Sequence, residues 1–342
     1  MSKKMFDFCV GNPPYQDESQ RSNGYAAPVY NAFMDAAIDV SDKVELIHPA
    51  RFLFNAGSTP KDWNKKMLQD EHYKVLHYEK DSSVIFPGVD IKGGVAISYR
   101  DSSKVFGAIE TFVSDPTLNK ILNRIKTANI LPLSKYAYVT AKFDFTELKK
   151  DHPEYMSLLK ERRLATNVLG LLDNKIFFKE KPNGSDEFIR VYGRIGSNRV
   201  YRWTKRKYIE VPENLDYYKL FLPKVNGVGA FGELITDPVI GKSGEINTHT
   251  FMSIGLLNTE EEAEGLLKYI KTKFARALLG VLKITQHNSN ECWRYVPAQD
   301  FSEKSDIDWT KSVHEIDLQL YRKYGLSVEE INYIEENVKE MI

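Results

Sequence analysis

The segment most informative about the fold lies near the N-terminus and reads Phe6-Asp7-Phe8-Cys9-Val10-Gly11-Asn12-Pro13-Pro14-Tyr15. The pattern predicts a short apolar strand that ends in a stiff turn. The two prolines fix two φ angles, and Pro13 also restrains Asn12 to extended conformations. Because open α/β sheets bind ligands at the carboxyl ends of their strands, we expect Asn12 to stand rigidly at a ligand-binding edge.

The residue types in this turn suit chemistry on an exocyclic amine. The side-chain oxygen of Asn12 and the carbonyl of Pro13 both accept hydrogen bonds, and together they can take both protons of an amino group. In an aromatic amine such as the N6 amino group of adenine, the nitrogen lone pair is delocalised into the ring. Two acceptors on the amino group return electron density to the nitrogen and orient it toward an electrophilic methyl group. Tyr15 is placed to stack on the base, which must first leave the duplex. The plainer interpretation is a Pro-Pro turn after a strand.

The first hundred residues alternate between strand-like and helix-like patterns. This alternation predicts a mostly parallel sheet with helices on its faces. The predicted elements after the turn are a helix at Pro28–Val40, a strand at Val44–His48, a helix at Trp63–Glu71, and strands at Val75–Tyr78 and Gly94–Arg100.

A chain of 342 residues is long enough for two domains. The alternation of strand-like and helix-like segments becomes irregular after the last of these strands. We therefore predict a catalytic half-domain over residues 1–105 and a linker over 106–135. Residues 136–342 form the second predicted domain, of mixed α/β type. It is rich in aromatics and short β-like runs and turns helical from Thr259, and Ser327 begins a capping box.

Phe6–Tyr15 resembles motif IV of the amino-methyltransferases in its adenine-N6 form. The resemblance continues through His48–Leu53 and Asp81–Val95, which are similar to segments of the Eco57I-type restriction-modification methylases. It extends to the C-terminal third and is weakest between about residues 105 and 220. It implies a site-specific adenine-N6 DNA methyltransferase that uses S-adenosylmethionine. It also implies that Phe86 faces the flipped base opposite Tyr15, although Phe86 also fits a core position.

The sequence departs from the family where the cofactor should bind. Such enzymes hold S-adenosylmethionine on a glycine-rich loop after the first strand, and an acid follows the second strand, both ahead of the Asn-Pro-Pro-Tyr turn. Only eleven residues precede Asn12. We therefore expect a truncated Rossmann-like half-domain that begins at this motif. Either the cofactor half is a separate N-terminal polypeptide, or the chain is a degenerate remnant that binds DNA without methylating it. Gly227–Gly232 matches G-x-G-x-x-G, but the Pro- and Gly-containing segment after it cannot be a long helix.

Basic residues interleave with aromatics between Phe188 and Tyr208, where seven bases occur without an acid. Such a run predicts contacts to phosphates or guanine edges, although a solvated β-hairpin is the plainer interpretation. Two later segments supply weaker candidates. The predicted DNA-binding residues are Arg194, Arg199, Arg202, Lys205, Arg206, Lys207, Lys224, Asn226, Lys283 and Gln286.

Composition limits the remaining possibilities. Formal net charge is zero, so a basic face depends on the distribution of charges and not on their sum. Two cysteines make no disulfide framework, and the histidines have no ligand spacing, so we predict no metal. No apolar run is long enough to span a bilayer, which predicts a cytoplasmic protein without membrane contact.

We therefore predict the catalytic-motif and target-recognition parts of an adenine-N6 DNA methyltransferase of a restriction-modification system, inactive alone and acting on double-stranded DNA. Asn12, Pro13, Pro14 and Tyr15 are its catalytic residues. The alternatives are a non-catalytic DNA-specificity subunit and a type II restriction endonuclease subunit.

Overall fold

The computed structural model describes residues 4–17, 27–283 and 285–341. The chain divides into two compact units, Met1–Ser114 and Asp115–Ile342, and the division falls inside the segment predicted as a linker. Residues 116–127 of that segment form a helix instead of a linker. Asp115 caps it by accepting a hydrogen bond from the N–H of Leu118, and the apolar residues Leu118, Ile121, Leu122 and Ile125 bury one face.

In the residues that the structure describes, the first unit is a four-stranded sheet with two α-helices and two short 3₁₀ turns. The strands lie in the order β1-β2-β4-β3. The elements in chain order are β1 (Phe6–Gly11), α1 (Tyr30–Val40), β2 (Ser41–Pro49), α2 (Lys61–Gln69), β3 (Tyr73–Glu79) and β4 (Val95–Asp101).

The strand directions differ from the predicted mostly parallel sheet. β1 pairs with β2 in parallel, but β4 is antiparallel to both β2 and β3. Three strands thus share one direction, while two of the three pairings are antiparallel. The reason lies in the link between β3 and β4, whose only regular element is the short 3₁₀ turn Ser82–Val84. An antiparallel pair needs no helical crossover.

Helix α1 buries the stripe formed by Tyr30, Met34 and Ala37, whereas Phe33 is 49% exposed. The three buried residues share the core of the unit with Phe52. A helix can bury only one stripe, and the pattern offered two adjacent ones.

The second unit is of mixed α/β type, and three small sheets form its β part, in the orders β11-β10-β13-β5, β12-β7-β8 and β6-β9. Its elements are α3 (Pro116–Thr127), β5 (Ala137–Tyr138), β6 (Lys142–Phe143), α4 (Phe145–Asp151), α5 (Val168–Leu171), β7 (Phe188–Ile195), β8 (Asn198–Lys205), β9 (Ile209–Glu210), β10 (Tyr218–Pro223), β11 (Val239–Gly241), β12 (Glu245–Asn247), β13 (Phe251–Leu257), α6 (Glu260–Lys271), α7 (Lys273–Leu282), α8 (Val313–Lys323) and α9 (Val328–Asn337).

The C-terminal helices follow the sequence prediction with one change. The long apolar pattern after Thr259 forms two helices, because Thr272 interrupts it and its hydroxyl caps α7 by accepting from the N–H of Ala275. The capping box at Ser327 is confirmed. Within the described ranges, no helix is long and apolar enough to cross a membrane.

His48, at the carboxyl end of β2, is fully buried under the sheet edge. Its Nε2 lies 2.8 Å from the hydroxyl of Ser98, and its Nδ1 lies 3.1 Å from the carbonyl oxygen of Pro49. The ring stacks on Tyr30 with an interplanar angle of 5°. Burial lowers the pKa of His48 from 6.5 to about 4, so the imidazole is neutral at pH 7.

This buried histidine predicts a loss of stability in acid. Between pH 6.5 and 4 the unfolded chain takes up a proton at His48 that the folded state does not, so stability falls as the pH falls. The loss approaches roughly 3 kcal/mol at pH 4. We expect His48→Gln to remove this part of the pH dependence. Urea-dependent hydrogen exchange at the amides of β2 and β4 measures it within the first unit.

The matched control is His77→Gln, at an exposed histidine of β3. That variant should keep the wild-type slope of stability against pH. An identical slope in His48→Gln and wild type would show that His48 does not carry the effect.

Candidate active site

The Asn-Pro-Pro turn stands at one edge of the first sheet. Asn12 directly follows β1, and because β2 runs parallel to β1, the carboxyl ends of both strands meet at this edge. Residues that follow both strands, Asn12 after β1 and Arg51 after β2, line one cavity of about 730 Å³. The remaining lining comes from residues 13–16, Pro28, Tyr30, Pro49, Gly57, Ser58 and 89–92.

The backbone after the turn is fixed by the segment that leads into α1. The N–H of Asp17 donates to the carbonyl of Ala27 at 3.0 Å, and the N–H of Val29 donates to the carbonyl of Tyr15 at 3.2 Å. An antiparallel bridge joins Gln16 and Pro28 between them. The turn is therefore anchored on one side by β1 and on the other by this short ladder.

The acceptors expected from the sequence are available. The Asn12 side chain is exposed, and among the described residues neither its amide nor the carbonyl of Pro13 has a hydrogen-bond partner. The pair can thus accept from a ligand in the cavity. Pro14 follows, and its ring fixes the φ angle at this position of the turn.

Tyr15 lies half-buried against the cavity. Its hydroxyl is buried without a hydrogen-bond partner among the described residues. Burial raises the pKa of Tyr15 to about 12, so the phenol stays protonated. A buried donor without a partner is uncommon in folded proteins and often marks a site where a ligand completes the bond.

The sandwich predicted for Tyr15 and Phe86 is not formed in this conformation. Their ring centroids are 6.4 Å apart, but the rings meet edge to face at 70°. Two aromatic rings that stack on both faces of a base must be parallel to each other, with space for the base between them. Phe86 is also absent from the cavity lining among the described residues. The structure brings the two rings together, but they pack against each other.

The loop that carries Phe86 is organised by Ser82, which sequence reasoning missed. The hydroxyl of Ser82 donates to the carbonyl of Val89 at 2.7 Å and accepts from the N–H of Ile91 at 2.8 Å. Ser82 thereby bends the loop so that residues 89–92 reach the cavity. A lone serine in a loop gives no pattern from which this role could be predicted.

Arg51 and Lys92 bring positive charge to the cavity. Lys92 pairs with Asp90 at 2.6 Å, but both side chains are more than 70% exposed, so the pair is weak. Arg51 forms no ion pair with the described residues. Gly93, at φ +88°, leaves room for it, since a Cβ there would lie 2.6 Å from the Cγ of Arg51. Arg51 and Tyr30 were not among the predicted site residues.

The basic run of the second unit forms the hairpin of β7 and β8. Acids outside the run pair with six of its seven bases. Two of these acids, Asp186 and Glu187, directly precede the run, and the other four come from distant segments, which the sequence alone could not reveal. Arg194 is the exception within the described ranges. The pairs are Arg190–Glu245, Arg199–Asp237, Arg202–Asp173, Lys205–Asp186, Arg206–Glu187 and Lys207–Asp151.

Two other predicted DNA contacts are internal, and the structure corrects them. The buried amide of Asn226 donates to the carbonyl of Leu234 at 2.8 Å and accepts from the N–H of Thr236. Lys283 is buried and pairs with Glu233. Neither side chain is free to reach a base. The side chain of Gln286 is exposed, and its DNA contact stays a prediction.

The Gly227–Gly232 loop is filled by the chain itself. One carboxylate oxygen of Glu233 accepts from the N–H groups of Val228, Gly229 and Ala230, at 2.9, 3.1 and 3.3 Å. These amides would be needed to cradle a phosphate. The loop is thus a closed structural turn. Across the described residues, no group of three or more His, Cys, Asp or Glu side chains is arranged to hold a metal ion.

The sequence matches to known proteins support the family resemblance of the first unit. Residues 1–86 match the model of the Eco57I restriction-modification methylases, and this match confirms the resemblance predicted from the sequence over that segment. An uncharacterized adenine-specific methylase of Mycoplasma pneumoniae is 32% identical over 93 residues. This alignment covers 26% of the chain and 22% of that protein, so the chain matches only about a fifth of its relative's length.

Solved structures give weaker likenesses. The type IIG restriction endonuclease BpuSI shares 9% identity at a TM-score of 0.36, over 92% of this chain and 48% of that one. The type IIL restriction-modification enzyme MmeI, solved in complex with DNA, shares 11% identity at the same TM-score, over 97% and 56%. A TM-score this low carries no argument about fold.

The unpaired hydroxyl of Tyr15 yields a direct prediction. Tyr15→Phe removes a buried donor that has no partner among the described residues, so the first unit should be as stable as wild type or gain up to about 1 kcal/mol. Hydrogen exchange at the amides of β1 and β2 measures the change. Tyr73→Phe is the matched control, because its buried hydroxyl contacts His48 at 3.3 Å and its loss should destabilise the unit. A clear destabilisation by Tyr15→Phe would show that the hydroxyl has a partner.

Proposed function

We propose that the chain is part of a DNA adenine-N6 methyltransferase of a restriction-modification system. The observation that carries this is the Asn12-Pro13-Pro14-Tyr15 turn. It stands at the carboxyl end of a strand, on a cavity, in a segment that matches a restriction-modification methylase model. The first unit would hold the target adenine, and the second unit would contact double-stranded DNA.

The amine is held by two acceptors. The side-chain oxygen of Asn12 and the carbonyl oxygen of Pro13 accept one N6 proton each. Neither acceptor has a competing partner among the described residues. The N6 lone pair is delocalised into the ring, and this arrangement localises it on nitrogen and aims it at the methyl donor. Fixed acceptors of this kind contribute roughly 3–4 kcal/mol to catalysis.

The base enters the cavity from an unstacked position. Tyr15 lies along the lining and provides an aromatic surface for one face of adenine. Phe86 would serve the other face only after its ring turns away from Tyr15, because the two rings now meet at 70°. Arg51 and Lys92 favour an anionic strand at the rim.

S-adenosylmethionine is the donor that the methylase family implies, but the described residues do not fit it. The glycine-rich loop at Gly227–Gly232 is occupied by the side chain of Glu233. The donor must therefore be held by a further layer of structure. β1 is suited to receive one, because among the described residues it pairs only with β2, and it exposes Phe6, Phe8 and Val10.

The poor fit predicts that this chain alone does not bind S-adenosylmethionine at micromolar concentration. Titration calorimetry with the 342-residue chain is expected to give no heat of binding at 10–100 µM cofactor, roughly the range in which enzymes bind their substrates. A micromolar dissociation constant would contradict the account of a missing cofactor layer.

The assignment of Asn12 is tested where all parts of the enzyme are present. In the cell that carries the gene, Asn12→Ala should lower N6-methyladenine at one sequence motif by about 100-fold or more, since one fixed acceptor is lost. Sequencing that detects N6-methyladenine reads the result. Asn332→Ala, at an exposed position of α9, is the control and should leave methylation unchanged.

The same experiment separates the rival functions. Methylation that persists in Asn12→Ala would contradict the assignment of Asn12 as a catalytic residue. If deletion of the gene abolishes methylation at a motif while Asn12→Ala leaves it intact, a non-catalytic DNA-specificity subunit becomes the better description. A restriction endonuclease subunit would instead show metal-dependent cleavage of DNA.

A further inference from the structure

The second unit contains a cavity of about 950 Å³ with a predominance of positive groups. It opens between the β7–β8 hairpin, the segment after β10 and the segment around residues 287–291. Its charged or titratable lining consists of Arg194, Arg199, Lys224, His249, His287 and Glu291. The one acid, Glu291, pairs with Arg294 at 2.6 Å.

Lys224 is placed rigidly in this cavity. Its backbone N–H donates to the carbonyl of Thr250 at 3.0 Å, and its carbonyl accepts from the N–H of Asn288 at 2.8 Å. Two backbone hydrogen bonds on opposite sides fix the residue beyond the end of β10. The long side chain therefore starts from a defined point.

The ammonium group of Lys224 has no acid beside it. Its Nζ lies 3.1 Å from the hydroxyl of Thr140 and 2.7 Å from Nδ1 of His249, and no described carboxylate pairs with it. On the other side of the imidazole, Nε2 of His249 lies 3.0 Å from the guanidinium of Arg163. Glu161 balances Arg163 at 2.9 Å but does not reach Lys224.

This arrangement has more proton donors than acceptors. A neutral imidazole accepts at one nitrogen only, yet cationic donors approach both nitrogens of His249. A partly buried ammonium without an anion is unfavourable in a folded protein. An anion in the cavity would satisfy Lys224, and the tetrahedral oxygens of a phosphate accept several such bonds.

The contrast with the hairpin strengthens the case. Most bases of β7 and β8 are neutralised by acids, whereas Lys224 and Arg194 line one cavity and are paired with no described acid. We propose that Lys224 and Arg194 bind a phosphate group of the DNA backbone in this cavity, with His249 holding the Lys224 ammonium in place. The inference rests on the proposed function, which supplies DNA as the partner.

The protonation state of Lys224 agrees with this role. Burial, and to a smaller extent Arg163, lowers the pKa of Lys224 to about 8. Burial and the same two cations lower the pKa of His249. Binding of an anion favours the protonated lysine, so binding should weaken as the pH rises above about 8. The groups that face Lys224 are His249, Arg163, Arg194, Arg199, His287 and Glu291.

The test is the affinity of the full chain for a mixed-sequence duplex, followed by fluorescence anisotropy. We expect Lys224→Met to weaken binding about tenfold at 0.1 M salt and to reduce the slope of log K against log salt by about one. Its thermal unfolding temperature should not fall, because the change removes a partly buried charge. Lys120→Met, at a position whose side chain is 60% exposed, makes the same charge change as a control and should alter neither affinity nor slope.

Lys224→Arg separates a charge contact from a packing role. Arginine stays charged throughout, so this variant should bind the duplex but lose the pH dependence between 7 and 9 that wild type shows. Inorganic phosphate at 10 mM serves as a second arm. If phosphate raises the thermal unfolding temperature of wild type but not of Lys224→Met, while both chains bind the duplex equally, the cavity is a site for free phosphate and the DNA assignment fails.

Equal affinity and equal salt slope in Lys224→Met and wild type would overturn the inference, as would a wild-type chain that binds no duplex. These outcomes are separate from the test of Asn12. Methylation depends on the first unit, so an intact dependence on Asn12 with no effect of Lys224 would leave the proposed function standing and remove only the phosphate site.

Discussion

The parallel pairing of β1 with β2 is the constraint on which the first unit's site depends. Because both strands point the same way, Asn12 and Arg51 emerge at one edge, and one cavity collects them. The two prolines after Asn12 and the ladder from Tyr15 to Val29 then hold the turn in place. An antiparallel β1 would send the Asn-Pro-Pro turn to the opposite edge, away from Arg51.

The surroundings of a positive charge decide whether it is available to an anion. The basic hairpin of β7 and β8 looked like a DNA-binding face in the sequence, but distant acids neutralise most of it. Two cations without a described acid partner lie in concave places, Arg51 in the first unit and Lys224 in the second. Cavity walls of low dielectric strengthen such charges, whereas exposed ion pairs contribute little.

The strand before Asn12, the helices α1 and α2 and the motif itself could be predicted because they rest on local patterns, whereas α3 lies in the segment predicted as a linker. Strand direction could not, since it depends on whether a link crosses the sheet, and the β3–β4 link joins neighbouring antiparallel strands without crossing it. Ion pairs such as Arg202–Asp173 join residues far apart in the chain, so no window of sequence contains them. Ser82, Tyr30 and Arg51 acquire their roles only when the sheet brings separate loops together.

The central claim is that the cavity beside Asn12 receives an extrahelical base. Photocross-linking tests it most directly, with a duplex of the motif methylated in cells and 5-iodouracil in place of the target adenine. Mass spectrometry of the adduct is expected to place the cross-link on Tyr15, whose ring lies on the cavity wall. An adduct found only in residues 115–342, or equal yield with 5-iodouracil at a neighbouring position, would contradict the claim.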